Sequence, residues 1–211
     1  MITISEHTIE ESIIKKNGFI LDIGCVNFTF SLGVKKYCDN IICIDPNSNI
    51  LSIPEGLIYE KSALISGDDK SVEFFIYNDI QGYSILNPQR DWCQLVEKVK
   101  VDACNLQDIM SKYNIEQFDL IKLDIEGAEY DVLDKIDWTV SKQYSVEFHD
   151  FRNMNPFQPN NEVYYSGLFS KMLKYCDIIK HDKTDHPGFP IGMGANYWDS
   201  LFILKKDYWK E

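Results

Sequence analysis

Along this chain, short and nearly continuous apolar runs alternate with stretches in which apolar residues recur at helical spacing. The runs suit strands covered on both faces, and the spaced stretches suit helices packed on them. Phe19-Ile20-Leu21-Asp22-Ile23-Gly24 reads as a strand entering a glycine turn. Residues 28–37 read as a helix, and residues 41–44 as a second strand ending on Asp45-Pro46-Asn47. Further strands are predicted over 57–65, 71–77, 99–104, 118–123, 144–148, 177–181 and 201–204. Helices are predicted over 106–113, 128–133 and 162–175. Residues 4–16 are polar with Ile9, Ile13 and Ile14 interspersed, which predicts a leading helix within 1–17, stopped by Asn17-Gly18. The segments 153–161 and 186–194 are loops by composition, and 78–97 is an irregular stretch suited to lie over a site. No repeat or compositional shift divides the chain, so residues 1–211 are expected to form one α/β domain.

The stretch DLIKLDIEGAEYDVL, residues 119–133, joins a buried-type strand to a carboxylate-rich turn and a helix. In an open parallel sheet, ligands bind outside the carboxyl ends of the strands, which is where Asp124 and Glu126 fall. The same two acids would also suit the positive end of the following helix dipole, so the turn alone leaves both roles open. The predicted strand at 144–148 ends on His149-Asp150 and should lie beside it.

The first strand, glycine turn, helix and acid-terminated second strand form a nucleotide-binding βαβ pattern. A dinucleotide needs several glycines near its pyrophosphate, yet after Gly24 the next glycine is Gly33. S-adenosylmethionine carries no phosphate, so one close approach at Gly24 would suffice. Asp45 could then accept hydrogen bonds from both ribose hydroxyls, although an acid before proline is also an ordinary turn residue.

Composition narrows the partners. The 33 Asp plus Glu against 21 Lys plus Arg leave a net charge of -12, which disfavours nucleic acid and anionic membrane surfaces. The opening MITISEHTIEES has no export-signal pattern, and no apolar run approaches spanning length, so a cytoplasmic protein without membrane insertion is expected. The six cysteines form no metal-ligand spacing and read as reduced core thiols.

Together, FILDIG at 19–24, ICIDPN at 42–47, Ser62-Ala63-Leu64, residues 101–109 and IKLDIEGAEYDVL at 121–133 resemble the FkbM-type methyltransferases. The resemblance extends through Val146-Glu147-Phe148-His149 to a helix at 168–175, nearly the whole chain. It implies a Rossmann-like class I methyltransferase fold: a seven-stranded, mostly parallel sheet with its last strand antiparallel and helices on both faces. It also implies S-adenosylmethionine as donor and O-methylation, often of a sugar or glycan hydroxyl. On the matching motifs, the donor residues would be Asp22, Gly24, Cys25, Asn27, Asp45, Asn47, Ser62, Ala63 and Asp124. One departure stands out, because Phe28 occupies a turn position where members commonly carry a further glycine. It keeps a donor-binding module without turnover as one alternative; an N- or O-methyltransferase of a non-sugar small molecule, with the same fold, is another.

A sugar hydroxyl is a weak nucleophile, so positioning and a nearby base should carry the chemistry. Asp124 and His149 are the expected catalytic pair, with His149 the better base by its ordinary pKa and Asp124 orienting acceptor or base. Glu147 is expected to pair with Lys122 or Arg152. Asp124, Glu147, His149 and Asp150 could alternatively hold a magnesium ion that binds sugar oxygens. Trp92, Trp198 and Tyr83 could offer aromatic faces to a pyranose ring, and the sequence leaves the oligomeric state open.

Overall fold

The structure, a computed structural model, describes residues 1–79, 83–86, 93–150, 161–184 and 196–210. The expected loops at 153–161 and 186–194 lie almost wholly outside these residues, as do Trp92, Arg152 and the side chain of Asp150.

The chain opens with a hairpin, not the expected helix: β1 (Ile2–Ile4) pairs antiparallel with β2 (His7–Ile9) through a turn at Ser5 and Glu6. Both turn residues have positive φ, 45° and 70°, the combination that lets a two-residue turn follow the strand twist. The isoleucine spacing that suggested a helix instead serves one strand and one short 3-10 turn at Glu11–Ile13, with Ile9 fully buried.

The remaining elements are β3 (Phe19–Ile23), α1 (Thr29–Val34), β4 (Asn40–Ile44), β5 (Ile58–Glu60), β6 (Ala63–Leu64), β7 (Ser71–Tyr77), β8 (Leu95–Cys104), α2 (Leu106–Tyr113), β9 (Leu120–Leu123), α3 (Glu129–Lys135), β10 (Gln143–Asp150), α4 (Asn161–Tyr175), β11 (Cys176–Thr184) and β12 (Asn196–Leu204). The main sheet has seven strands in the order β11-β12-β10-β9-β3-β4-β5. Strands β10, β9, β3, β4 and β5 run parallel, and β12 inserts antiparallel between β10 and β11. The order reverses between β3 and β9, which creates the crevice where such sheets bind ligands.

Successive residues of the central strands feed opposite faces. Leu21, Ile23, Ile42, Ile44, Ile121 and Leu123 join the larger core, which contains residues of α2, α3 and α4. Ile20, Ile41, Cys43 and Leu120 turn the other way, into a smaller core with Phe30 and Val34 of α1 and Ile9 of the hairpin. Helices thus cover both faces, with the hairpin sharing the second face with α1. Removing each such Ile or Leu from water is worth about 1.5–3 kcal/mol, which is why the runs are so unbroken.

The strand expected over 57–65 is split by Lys61 and Ser62 into β5 and β6, which join different sheets. Strands β6, β8 and β7 form a separate three-stranded sheet, outside the seven-stranded one. Of the irregular stretch, residues 95–97 belong to β8 and Ser84 bridges to Phe75. Helix α2 begins with a reciprocal cap: the Asn105 side chain accepts from the Asp108 N–H at 2.9 Å, and Asp108 accepts from the Asn105 N–H at 3.1 Å. Among the described residues no helix is long and apolar enough to cross a membrane. Five of the six cysteines are buried, and all six are free thiols.

Candidate active site

The parallel register places the ends of β3, β9 and β10 side by side, because Ile23 pairs with Leu123 and Leu123 with Val146. Beyond those ends opens a cavity of about 390 Å³. Asp22, Gly24, Cys25, Asn27, Asp45, Asn47, Ser62, Ala63, Asp124 and His149, the residues singled out in the sequence, all line it.

The glycine turn is shaped by protein as much as by any ligand. Gly24 has a φ of 78°, and a Cβ there would stand 1.7 Å from the Asp124 carbonyl oxygen. Its N–H donates to the Ile44 carbonyl at 2.9 Å, which ties the turn to β4. Phe28 takes a φ of 59°, the left-handed conformation that glycine adopts freely, while its buried ring packs edge-on against Tyr59 at 5.9 Å. The ring belongs to the second core and does not line the cavity.

Asp45 receives the Val26 N–H at 3.0 Å on one carboxylate oxygen and the Asn47 N–H at 2.8 Å on the other. Burial pushes its carboxyl above the ordinary aspartate value, against the pull of those two N–H groups. Asn47 caps its own turn by accepting the Asn49 N–H, and Asn27 accepts the N–H and hydroxyl of Thr29 at the start of α1. The Ser62 hydroxyl lies 3.1 Å from the Cys104 sulfur.

Lys122 is the buried residue that the apolar pattern concealed. It pairs with Asp22 across the β3–β9 register, and its ammonium lies 3.3 Å from Asp22 Oδ1 and 3.3 Å from Asp124 Oδ2. It also donates to the Gly24 carbonyl at 2.7 Å. Burial pulls its pKa down, but Asp22 and Asp124 more than reverse this, so the amine stays charged. Glu147, expected to pair with Lys122 or with Arg152, which lies outside the described residues, lines the cavity with its carboxylate near His7 and Asp124. Asp22 accepts a 2.5 Å hydrogen bond from Ser31 on Oδ2, whereas Oδ1 has no hydrogen-bond donor among the described residues.

Asp124 stands between two buried histidines. His7 Nε2, on the hairpin, is 3.7 Å from Oδ2, and His149 Nε2 is 3.8 Å from Oδ1. Burial raises the Asp124 carboxyl, but Lys122 and the histidines hold it well below the usual range. His149 Nδ1 meets Glu129 Oε1 at 2.9 Å, and Glu129 is itself fixed by the N–H groups of Ile125 and Gly127. Burial lowers the His149 pKa, yet Glu126 and Glu129 outweigh it and raise the value to about 10. Glu126 lies 3.7 Å from His149 Nε2 on a turn with a φ of 56°.

His7, Lys122 and Glu129 were not recognised in the sequence as site residues. A lysine inside an otherwise buried run was a signal for Lys122. His7 gave none, because the hairpin that delivers it was read as a helix. Tyr83 and Ser84 do reach the cavity, and the Ser84 hydroxyl donates to the Glu126 carbonyl at 2.9 Å. Trp198 instead stacks on His181, whose Nδ1 is 2.7 Å from the Ser200 hydroxyl.

The Methyltransferase FkbM domain matches residues 22–177, close to three quarters of the chain, from the end of β3 through β4, β9 and β10. The chain belongs to the FkbM methyltransferase family. Among solved structures, a dimethyladenosine transferase from Plasmodium falciparum superposes with a TM-score of 0.52 at 14% identity, covering 92% of this chain and 58% of that one. TrmK of M. capricolum, solved with S-adenosylhomocysteine, gives 0.47 at 9% identity, covering 93% of this chain and 66% of that one. This FkbM family member therefore spans less than two thirds of either protein, and at these identities the likeness concerns the fold alone. No curated protein matches the sequence.

Proposed function

We propose that this FkbM family member transfers a methyl group from S-adenosylmethionine to a hydroxyl of a sugar or glycan. The observation that carries this reading is that one cavity is lined by the glycine turn, by Asp45 and by Asp124, the last flanked by two histidines. The residues fit the donor. Asp22 is a buried carboxylate that lines the cavity and is already paired with Lys122, and Asp45 is an anion suited to paired ribose hydroxyls. Phe28 adopts the left-handed backbone that a glycine takes freely, and its ring lies outside the cavity, which supports a donor loop of ordinary shape.

The bound donor would supply a methyl sulfonium, which becomes neutral on transfer while the acceptor oxygen loses its proton. Asp124, held ionised, would accept the hydrogen bond of the acceptor hydroxyl and orient a lone pair towards the donor. His149, clamped at Nδ1 by Glu129, faces that hydroxyl's position with Nε2 and is the proposed proton acceptor. With its pKa raised to about 10 by Glu126 and Glu129, His149 is protonated at neutral pH, so it must first shed that proton, which the arriving positive donor and higher pH both favour. The net charge of -12 agrees with a neutral or free sugar acceptor better than with nucleic acid.

Calorimetry with S-adenosylmethionine and its demethylated product tests the donor end. Transfer of labelled methyl onto free and nucleotide-linked sugars tests the acceptor end. Donor binding without transfer to any hydroxylated acceptor would sink the O-methylation reading.

A further inference from the structure

We infer that the acceptor end of the cavity holds a divalent transition-metal ion, ligated by His149 Nε2 and the carboxylates of Asp124 and Glu126. These three groups, one from β10 and two from the turn after β9, each present a ligand atom, and the atoms lie within 4.8 Å of one another. His149 Nε2 stands 3.8 Å from Asp124 Oδ1 and 3.7 Å from Glu126 Oε1, too far for hydrogen bonds. Atoms bound at about 2.1 Å to a shared tetrahedral ion stand about 3.4 Å apart, so a small contraction completes the set.

The surroundings point the same way. The other imidazole nitrogen, Nδ1, is 2.9 Å from the buried Glu129 carboxylate. That carboxylate is anchored by backbone N–H groups at 2.9–3.1 Å. A carboxylate holding the far nitrogen of a histidine fixes the tautomer and ring orientation that a metal-ligating Nε2 needs. A second trio, His7, Asp124 and Glu147, shares the same aspartate. There the Lys122 ammonium lies 3.3 Å from Asp124 Oδ2, the oxygen facing His7, and repels a cation. Lys122 thereby directs the ion to Oδ1 and the His149 side. One imidazole with two carboxylates is a borderline donor set, which suits Mn²⁺, Fe²⁺, Co²⁺ or Zn²⁺ better than magnesium, which prefers oxygen ligands.

What the ion does rests on the methyl-transfer reading and would replace His149 as the means of removing the proton: with Nε2 bound, the ion would take the acceptor oxygen as an open-site ligand and acidify its hydroxyl, whose proton would pass to solvent. Whether it binds does not rest on that reading. The full chain, stripped with a chelator and titrated with Co²⁺, should develop visible ligand-field absorption that saturates at one ion per chain. Glu126→Gln should weaken binding at least about tenfold, and His7→Asn should leave it unchanged. Proton NMR of the Co²⁺ form should show one exchangeable, hyperfine-shifted imidazole N–H, from His149, which needs no variant. No Co²⁺ absorption in the parent chain, unchanged affinity in Glu126→Gln, or loss confined to His7→Asn would each overturn the assignment. Co²⁺ binding without methyl transfer to any sugar would leave the metal site standing and remove the sugar reading. Transfer without Co²⁺ binding would do the reverse.

Discussion

Replacing Gly24 with alanine probes the point where the donor turn touches the strand that carries Asp124. The added Cβ would begin 1.7 Å from the Asp124 carbonyl oxygen, and 3.0 Å is the least that real Cβ contacts tolerate, so the strands must part by more than an ångström there. The obstacle is backbone, which cannot swing aside as a side chain can. At a φ of 78° alanine also meets left-handed strain of about 1–2 kcal/mol. Overpacking adds about 1–3 kcal/mol, for a combined loss near 3 kcal/mol. In a domain of this size each kcal/mol lowers Tm by about 2–4 °C, so a fall of roughly 6–12 °C is expected. Scanning fluorimetry measures it, and calorimetry should show donor affinity falling too, because the displaced carbonyl belongs to Asp124. A Tm within about 2 °C of the parent, with donor affinity unchanged, would refute the packing argument.

Lys122→Met should destabilise the fold by about 3–5 kcal/mol, because the buried Asp22 loses the ammonium that pairs with it. The double variant with Asp22→Asn should recover part of that loss in urea melts, and strict additivity would dissolve the pair. Phe28→Gly exchanges left-handed strain for a lost buried ring, a net loss of about 2–3 kcal/mol, with donor affinity unchanged because the ring is outside the cavity. A fall in affinity at constant fold would show that the ring shapes the donor loop. Asp45, raised by burial, takes up its proton above the ordinary aspartate pKa of about 4. Donor affinity should therefore decline as pH falls, starting above that value, while the stability penalty of the buried charge is relieved over the same range. An affinity that holds steady down to about pH 4 would detach Asp45 from the donor.

The doubly covered strands were legible because each is an apolar run ending in chemistry: Gly24 after β3, Asp45 after β4, Asp124 after β9 and His149 near the end of β10. Parallel pairing puts such ends on one edge, so four separate stretches converged on one cavity without knowledge of any contact. The hairpin was hidden because Ile9, Ile13 and Ile14 fit helical spacing, while the turn that opens it uses Ser5 and Glu6, not the glycine or asparagine that announces such turns. The split at Lys61-Ser62 was equally silent, since local pattern does not say which sheet a strand joins. Lys122 shows a different limit. A charged residue in a buried strand declares that it has partners, but only register reveals them as Asp22 and Asp124.

The hairpin that brings His7 to Asp124 is held from far along the chain. Thr8 donates to Asp199 at 2.9 Å across 191 residues, and His7 Nδ1 lies 3.3 Å from the Ser145 hydroxyl across 138. Asp199 sits on β12, the strand that slots antiparallel beside β10. During synthesis on a ribosome, residues 7–9 would wait for Asp199, 191 residues beyond Thr8, before finding their place. The acceptor wall is therefore the last part of the pocket to close, and its assembly should be slow, as contacts of such long loop closure are. A chain arrested before β12 could form the donor turn while lacking the seat for His7.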